Sequence, residues 1–422
     1  MRLRLPIWLA RQLYSRENRR HSKVYALVRF AIPAIALSLA VMLLGIAIMD
    51  GFQYSVRDTV RLVTGDVILC EYGKQPIDLD NVITLTPQMT QRMSEMPEIV
   101  SVRPVRTAVG MIKTDSTYQG VAVTGVDDFT FLEPLCAMGD LSDTTLAEGA
   151  NPIVLPKASA QKLGLTIGDK VVLYFLGDKV SVRSFTLIAI LELTNTAQPL
   201  AYVTNDLLGR VGDWQQDQYT RIEILAKNGE RSLLDMETSL SDMETSLSDQ
   251  LIQSLSEPGV TKEMLGIYTG SQINGGVYQW IDSLRPNVQI LLVLMALVAA
   301  FTMINALLII ILDLTQTIGL LKALGMTYRS LTTMSLAIAL RIIAWGMLWG
   351  NLLAGIIIWS QHQWQWLTLD PNVYYISHVA MRIRPGAWIV VNVATLLLCL
   401  LLLLLPARII QRISPTTALR FE

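Results

Sequence analysis

The stretch Val24–Met49, VYALVRFAIPAIALSLAVMLLGIAIM, decides the fold. It exceeds the about 20 apolar residues that a helix needs to cross a bilayer. A secretory signal peptide has a shorter apolar core, about 7–15 residues, closed by a small-residue cleavage site. This block instead runs on into Met49-Asp50-Gly51-Phe52, which predicts an uncleaved membrane helix. Ahead of it, Arg2, Arg4, Arg11, Arg16, Arg19, Arg20 and Lys23 form a basic tail. Such a tail stays in the cytoplasm. Within it, Pro6–Tyr14 alternates apolar and basic residues and is expected to lie along the membrane surface.

Three more apolar blocks follow: Val288–Leu312, Leu331–Trp359 and Ala387–Leu405, the last closed by Pro406. They explain a composition with 52% hydrophobic and only 16% charged residues, where soluble domains carry about a quarter. The expected fold class is an α-helical membrane protein with four transmembrane helices plus a mixed α/β periplasmic domain between helices 1 and 2. Counted from a cytoplasmic N-terminus, 1–23 is a cytoplasmic basic segment, 24–49 helix 1 and 50–286 the outer domain. Then 287–312 is helix 2, 313–330 a cytoplasmic loop, 331–359 helix 3, 360–385 an outer loop, 386–407 helix 4 and 408–422 a cytoplasmic tail. Arg408, Arg412 and Arg420 in that tail agree with the orientation. Arg382 and Arg384 in the short outer loop run against it, although they abut the fourth block and can snorkel to head-groups. Trp364, Trp366, Tyr374 and Tyr375 give the same loop an interfacial aromatic belt.

Residues 50–286 are too many for a connection and predict a folded domain. Strand-like runs appear at Asp66–Cys70, Val82–Leu85, Val100–Val105 and Gly120–Gly125. Val171–Phe175 and Val180–Ile190 flank Leu176-Gly177-Asp178-Lys179, a hairpin signature. Pro156–Leu163 reads as a short helix stopped by Gly164. The segment Asp235–Ser241 is duplicated as Asp242–Ser248. Across it, Leu233, Met236, Leu240, Met243, Leu247, Leu251 and Leu255 make one apolar helical stripe. A seven-residue insertion drifts the face by only about 20°, so the duplication lengthens the helix without rotating it. That stripe packs either on its own sheet or on a partner.

Catalytic signatures are missing from the sequence. There is no phosphate loop, since Gly73-Lys74 lacks the preceding glycine and the following hydroxyl. His21, His362 and His378 are scattered without metal-ligand spacing, and no Gly-x-Ser-x-Gly elbow occurs. The apolar blocks hold no acidic residue, which argues against a proton relay. Net charge is −1, so nothing pulls the whole chain toward nucleic acid. Cys399 lies in an apolar block, whereas Cys70 and Cys136 could pair in an oxidising compartment or stay as thiols. Arg341, a clear charge inside a block, suits either a partner contact or snorkelling. Gly346 and Gly350 form a Gly-x-x-x-Gly pair, which permits close helix contact.

Two segments are candidate sites. Gln316–Met326 is a short amphipathic helix stopped by Gly325, and its apolar face needs lipid, a neighbouring span or a cytosolic groove to cover it. On the first span, Met42, Ile46 and Met49 share one face at i, i+4, i+7, and Phe52 continues it. That face either packs ordinarily or, with a partner's first span, lines an apolar path, where flexible thioethers adapt to differing acyl chains.

Five segments make the chain similar to the permeases of the lipoprotein-releasing ABC transporter, the LolC/LolE type, within the wider MacB/FtsX-like family. They are Met49–Phe52, Leu163–Lys170, Val298–Asn305, Ile318–Met326, and Pro406–Arg408 with Ser414–Glu422. The resemblance covers nearly the whole chain, and Met49–Phe52 with Val373–His378 points to its lipoprotein branch. It implies a permease subunit of the bacterial inner membrane that is not itself an enzyme. Its implied partners are two copies of a cytosolic ABC ATPase, a second permease chain identical or homologous, a lipoprotein substrate, a periplasmic lipoprotein carrier and membrane lipids. No cofactor is implied on this chain, since ATP and Mg belong to the ATPase. Ile318, Gly319, Leu320, Leu321, Lys322, Ala323, Leu324, Gly325 and Met326 would form the ATPase-coupling helix. Met42, Ile46, Met49 and Phe52 would form the lipid-binding path, because an acyl chain costs about 0.8 kcal/mol per methylene in water. The family's usual acidic residue at the start of the coupling helix is Thr317 here, so docking would rest on apolar contact and Lys322. The hairpin after Gly168-Asp169 is short, where the carrier-docking permease extends it into a hook. Two other members of the wider family set the alternatives. One is a MacB-like exporter of small molecules or peptides. The other is an FtsX-like activator of a periplasmic cell-wall hydrolase, against which the large outer domain argues.

Overall fold

The computed structural model describes residues 23–114, 117–141, 151–176, 180–193, 199–212, 214–227, 240–256, 260–261, 264–313, 324–369, 374, 376 and 378–412. In chain order these form α1 (Lys23–Thr64), β1 (Val67–Glu71), β2 (Ile83–Thr84), α2 (Pro87–Glu95), β3 (Ile99–Lys113), β4 (Tyr118–Val126), β5 (Cys136–Gly139) and β6 (Pro152–Pro156). Then come α3 (Lys157–Leu163), β7 (Lys170–Leu176), β8 (Ser181–Leu191), β9 (Leu200–Thr204), α4 (Asn205–Val211), β10 (Gln218–Tyr219), β11 (Arg221–Ala226) and α5 (Leu240–Leu255). The last are β12 (Leu265–Thr269), α6 (Gly270–Ile273), α7 (Gly275–Asp313), α8 (Tyr328–Trp364) and α9 (Pro385–Arg412). They fall into two units, 53–282 with 367–379, and 1–52 with 283–366 and 380–422.

The first unit is the mixed α/β domain. Its strands run β12-β1-β11-β3-β4-β9-β6-β8-β5, and β7 bridges β3 and β8. The ring β3-β4-β9-β6-β8-β7 therefore closes on itself, which removes the exposed edges an open sheet would leave. β3 is long enough to serve twice. Residues 99–105 pair with β11, and residues 106–113 pair with β4. Alternation along the strands sends Ile112, Val123, Leu173, Phe185 and Leu187 into the ring interior, closed by Leu163 of α3 and Leu208 of α4. On the β1–β11 side, Val67, Leu69, Ile222 and Ile224 pack with Met89 and Met93 of α2. Leu247, Leu251 and Leu255 of α5 complete this second core, each contributing roughly 1.5–3 kcal/mol of burial. The described part of the duplicated helix thus packs on its own sheet, while residues 228–239 of the stripe lie outside the described residues. α3 stops at Gly164 with φ +66°, the left-handed turn that glycine adopts without Cβ strain. Cys70, Cys136 and Cys399 are all free thiols.

The second unit is helical. Among the described residues, three helices are long and apolar enough to cross a membrane: Ile32–Thr64, Gly275–Phe301 and Ala339–Trp364. Pro385–Leu401, within α9, is a shorter apolar helix. Several helix ends differ from the sequence reading, among them those of α8, which runs Tyr328–Trp364 rather than 331–359. α1 does not end at Met49 but continues to Thr64. α7 begins at Gly275, ahead of Val288, and passes through Pro286. α9 runs past Pro406 to Arg412 rather than closing there. A proline removes a single ladder bond, and neighbouring groups in membrane helices re-satisfy it.

Candidate functional site

Helix α1 meets α8 where side chains are small. A β-carbon on Gly346 would lie 2.8 Å from Ile35 Cγ2, and one on Gly350 would lie 2.8 Å from the Ala36 carbonyl oxygen. Ala354, one turn further, is buried in the cluster of Leu39, Ala40, Met42 and Leu43. The stripe Gly346-Gly350-Ala354 is therefore the contact surface of α8 for α1, and the Gly-x-x-x-Gly pair of the sequence has a packing role. Helix α8 is joined to α9 by polar groups instead. Asn351 Nδ2 donates to Asn392 Oδ1 at 2.7 Å, Asn392 Nδ2 donates back to Asn351 Oδ1 at 3.1 Å, and Trp388 Nε1 donates to the same Asn351 oxygen at 2.7 Å. These amides are neutral and mutually satisfied, the arrangement an apolar setting tolerates.

The motif Met49–Phe52 holds the chain that enters α9. Asp50 Oδ2 accepts from Arg384 Nε at 2.8 Å. The Arg382 backbone N–H donates to the Ala47 carbonyl at 3.0 Å. A β-carbon on Gly51 would overlap the Ala380 carbonyl and sit 2.8 Å from the Arg382 backbone nitrogen. Glycine is needed at position 51 because residues 380–382 lie directly on the helix there. The motif read as a family signature is thus a docking notch with one charged latch.

The end of α1 is fixed to the sheet by buried charge. Arg61 Nε donates to both carboxylate oxygens of Asp66, at 2.6 and 2.8 Å, and Arg61 Nη2 donates to the Ala226 carbonyl. Asp66 Oδ2 also accepts the Ala226 backbone N–H at 2.6 Å. Arg103 Nη1 donates to the Leu62 carbonyl at 2.8 Å, where a cation complements the negative end of the helix. The Arg103 guanidinium lies 4.0 Å over the Phe131 ring and 3.3 Å from Glu223, whose other oxygen accepts from Arg221 at 2.9 Å. Glu244 of α5 accepts the Ser271 backbone N–H at 3.0 Å, and burial pushes its carboxyl above the usual glutamate range. Arg57, Asp282, Asn274 and Thr64 continue the joint. Arg57 pairs with Asp282 at 2.7 Å, and Asn274 Nδ2 donates to Thr64 Oγ1 at 3.0 Å.

Of the residues expected to form the lipid path, Met42, Met49 and Phe52 are buried by their own chain. Met42 sits with Leu39 and Ala354. Ile46 is half-buried and lines a narrow crevice with Ala47, Ala387 and Trp388. Residues Ile318 to Ala323 of the coupling segment lie outside the described residues. Of the remainder, Leu324 is exposed and Gly325 has φ +87°. Arg341 is exposed on α8. Sequence reasoning missed Arg61, Asp66, Arg103, Glu223 and the Asn351–Asn392 pair. An asparagine in each of two apolar blocks was the available signal for that last pair.

The MacB-like periplasmic core domain family matches residues 30–233, and the FtsX-like permease C-terminal family matches residues 289–415. The lipoprotein-releasing system transmembrane protein LolC of Xylella fastidiosa (strain 9a5c) is 21% identical, with 97% of each chain covered. The corresponding LolE of Haemophilus influenzae is 22% identical, covering 96% of this chain and 97% of the relative. Among solved structures, the periplasmic region of MacB from Actinobacillus actinomycetemcomitans aligns with TM-score 0.34 and 14% identity, over 53% of this chain and 97% of that one. A MacB-like core domain followed by an FtsX-like permease region defines an ABC-transporter permease subunit. Along nearly its whole length, the chain resembles the LolC/LolE-type permeases.

Proposed function

We propose that this chain extracts lipoproteins from the bacterial inner membrane for delivery toward the outer membrane, as the permease subunit of an ABC transporter. The observation that carries the reading is similarity to lipoprotein-releasing proteins over 97% of both chains, rather than over one domain. In this reading the chain crosses the membrane four times, with α9 as the fourth span, and 50–286 lie in the periplasm. ATP and Mg are bound by two copies of a separate cytosolic ATPase, which Ile318–Met326 contacts. A second permease chain completes the assembly. Of the four proposed path residues, Ile46 is the one whose half-burial suits contact with cargo.

Reconstitution with the ATPase and partner permease in proteoliposomes containing a triacylated lipoprotein tests this. ATP should release the lipoprotein to a periplasmic carrier. Leu321→Asp, which places an unpaired carboxylate on an apolar docking face, should lower release at least tenfold while the complex still assembles. ATP-driven export of small molecules or peptides with no lipoprotein release would replace this reading with the exporter. Activation of a cell-wall hydrolase without release would replace it with the signalling subunit.

A further inference from the structure

Arg382 and Arg384 sit where a short outer loop disfavours positive charge, and the structure gathers them. Arg384 is latched to Asp50 at 2.8 Å. Arg382 is brought to the same place by its backbone bond to Ala47 and by the notch at Gly51. Arg285, at the head of the apolar part of α7, acts electrostatically on the Asp50 carboxylate together with Arg382 and Arg384. The Asp50 carboxylate is thus paired with Arg384 and lies in the field of Arg382 and Arg285, guanidiniums from two segments, and the group carries net positive charge. All three arginines are exposed, whereas Asp50 is only 13% exposed at its side chain. Snorkelling alone would turn each arginine outward without a fixed partner. It does not account for the pairing of Arg384 with Asp50.

Directly beside the cluster lies the crevice walled by Ile46, Ala47, Ile383, Ala387 and Trp388. The Trp388 indole N–H is engaged by Asn351, so the ring presents an apolar face. The crevice has room for only about 10 Å³, roughly one water, so a tail would lie along exposed apolar side chains such as Ile389 and Val390 of α9, below an anionic head at the arginines. Guanidiniums suit phosphate because their forked donors match its oxygens.

We propose that Arg285, Arg382 and Arg384, gathered around Asp50 beside the crevice of Ile46 and Trp388, seat one anionic phospholipid of the outer leaflet. This rests on the helices spanning a membrane, and not on lipoprotein as the cargo. Native mass spectrometry of the delipidated full-length chain in detergent tests it, with phosphatidylglycerol, phosphatidylcholine and inorganic phosphate in separate arms. Wild type should retain phosphatidylglycerol at least tenfold more tightly than phosphatidylcholine, and the preference should shrink as salt is raised. The Arg285→Gln/Arg382→Gln double variant should lose the preference, and Arg285→Lys/Arg382→Lys should keep most of it. Equal retention of the two lipids by wild type would overturn the proposal, whether or not any variant folds. So would full preference in the double glutamine variant. Displacement of the lipid by equimolar inorganic phosphate would reduce the cluster to a simple anion site. No ATPase or cargo is present in this experiment, so its failure leaves the transport reading untouched.

Discussion

In the sheet unit, Asp66 is 1% exposed yet fully ionically partnered, held by Arg61 and the Ala226 backbone. In the helical unit, the corresponding internal pins are the neutral amides of Asn351 and Asn392, and Gly346 and Gly350 bring α8 against α1. The difference follows from the surroundings. A buried ion pair is tolerable where backbone donors and a second charge complete its shell. In an apolar layer, amides avoid the cost of a charge, and small residues supply van der Waals contact that hydrophobic exclusion cannot.

The comparison breaks most severely at Asp66. Asp66→Asn strands Arg61 inside the sheet unit and should cost about 3–5 kcal/mol, read as a large fall in the thermal midpoint of the detergent-solubilised chain. Arg210→Ala, at an ion pair whose partners are 76% and 74% exposed, should leave the midpoint unchanged. Equal effects of the two would erase the distinction between buried and surface charge.

Next in size are the glycine contacts of the helical unit. Gly51→Ala pushes into the Ala380 carbonyl and should destabilise by about 1–3 kcal/mol. Gly350→Ala meets the Ala36 carbonyl and belongs to the same class. Gly355→Ala, with nothing within 4 Å, should be neutral or slightly stabilising, because alanine favours helix. A harmless Gly350→Ala alongside a harmful Gly355→Ala would reverse the helix packing described here.

Asn351→Leu removes the shared acceptor of Asn392 and Trp388 and should cost about 1 kcal/mol, the usual scale of a polar contact between membrane helices. Cross-linking between α8 and α9, monitored with heating, would detect it. A loss as large as that of Asp66→Asn would mean that the amide cluster is as demanding as buried charge.

The smallest effect concerns pH. Glu244 has a raised pKa in the folded chain, from burial first. Its stabilising contribution is therefore complete below the ordinary glutamate value and is lost as pH rises through the raised one. Glu244→Gln should match wild type at acid pH and exceed it in thermal midpoint at neutral pH. Identical pH profiles for the two would show that Glu244 meets no net burial penalty.

Legibility differed along the chain for identifiable reasons. The runs at Asp66–Cys70, Val100–Val105 and Val180–Ile190 fall on β1, β3 and β8 because each carries inward apolar residues on its core face. Met243, Leu247, Leu251 and Leu255 announced the buried face of α5. The continuation of α1 past Met49 was hidden, because hydropathy falls over Asp50, Gln53, Arg57 and Asp58 while the helix persists. Phe52 and Val56 are buried there, and Leu62 packs against the ring. A span detected by hydropathy ends where apolarity ends, whereas a helix ends where its hydrogen-bond ladder does.

By itself, the sequence determined the apolar segments, the alternating strands and the absence of catalytic signatures, since these depend on local composition and period. It also determined the latch residues as types: Asp50 and Gly51 in one motif, and Arg382 and Arg384 in another. Only the tertiary structure decided that these residues meet, that Met42 faces its own chain, and that Arg61 and Arg103 anchor the end of α1. Those pairings join positions such as 61 with 226 and 50 with 384. Contact at such separations is set by packing of whole elements, which no local period encodes.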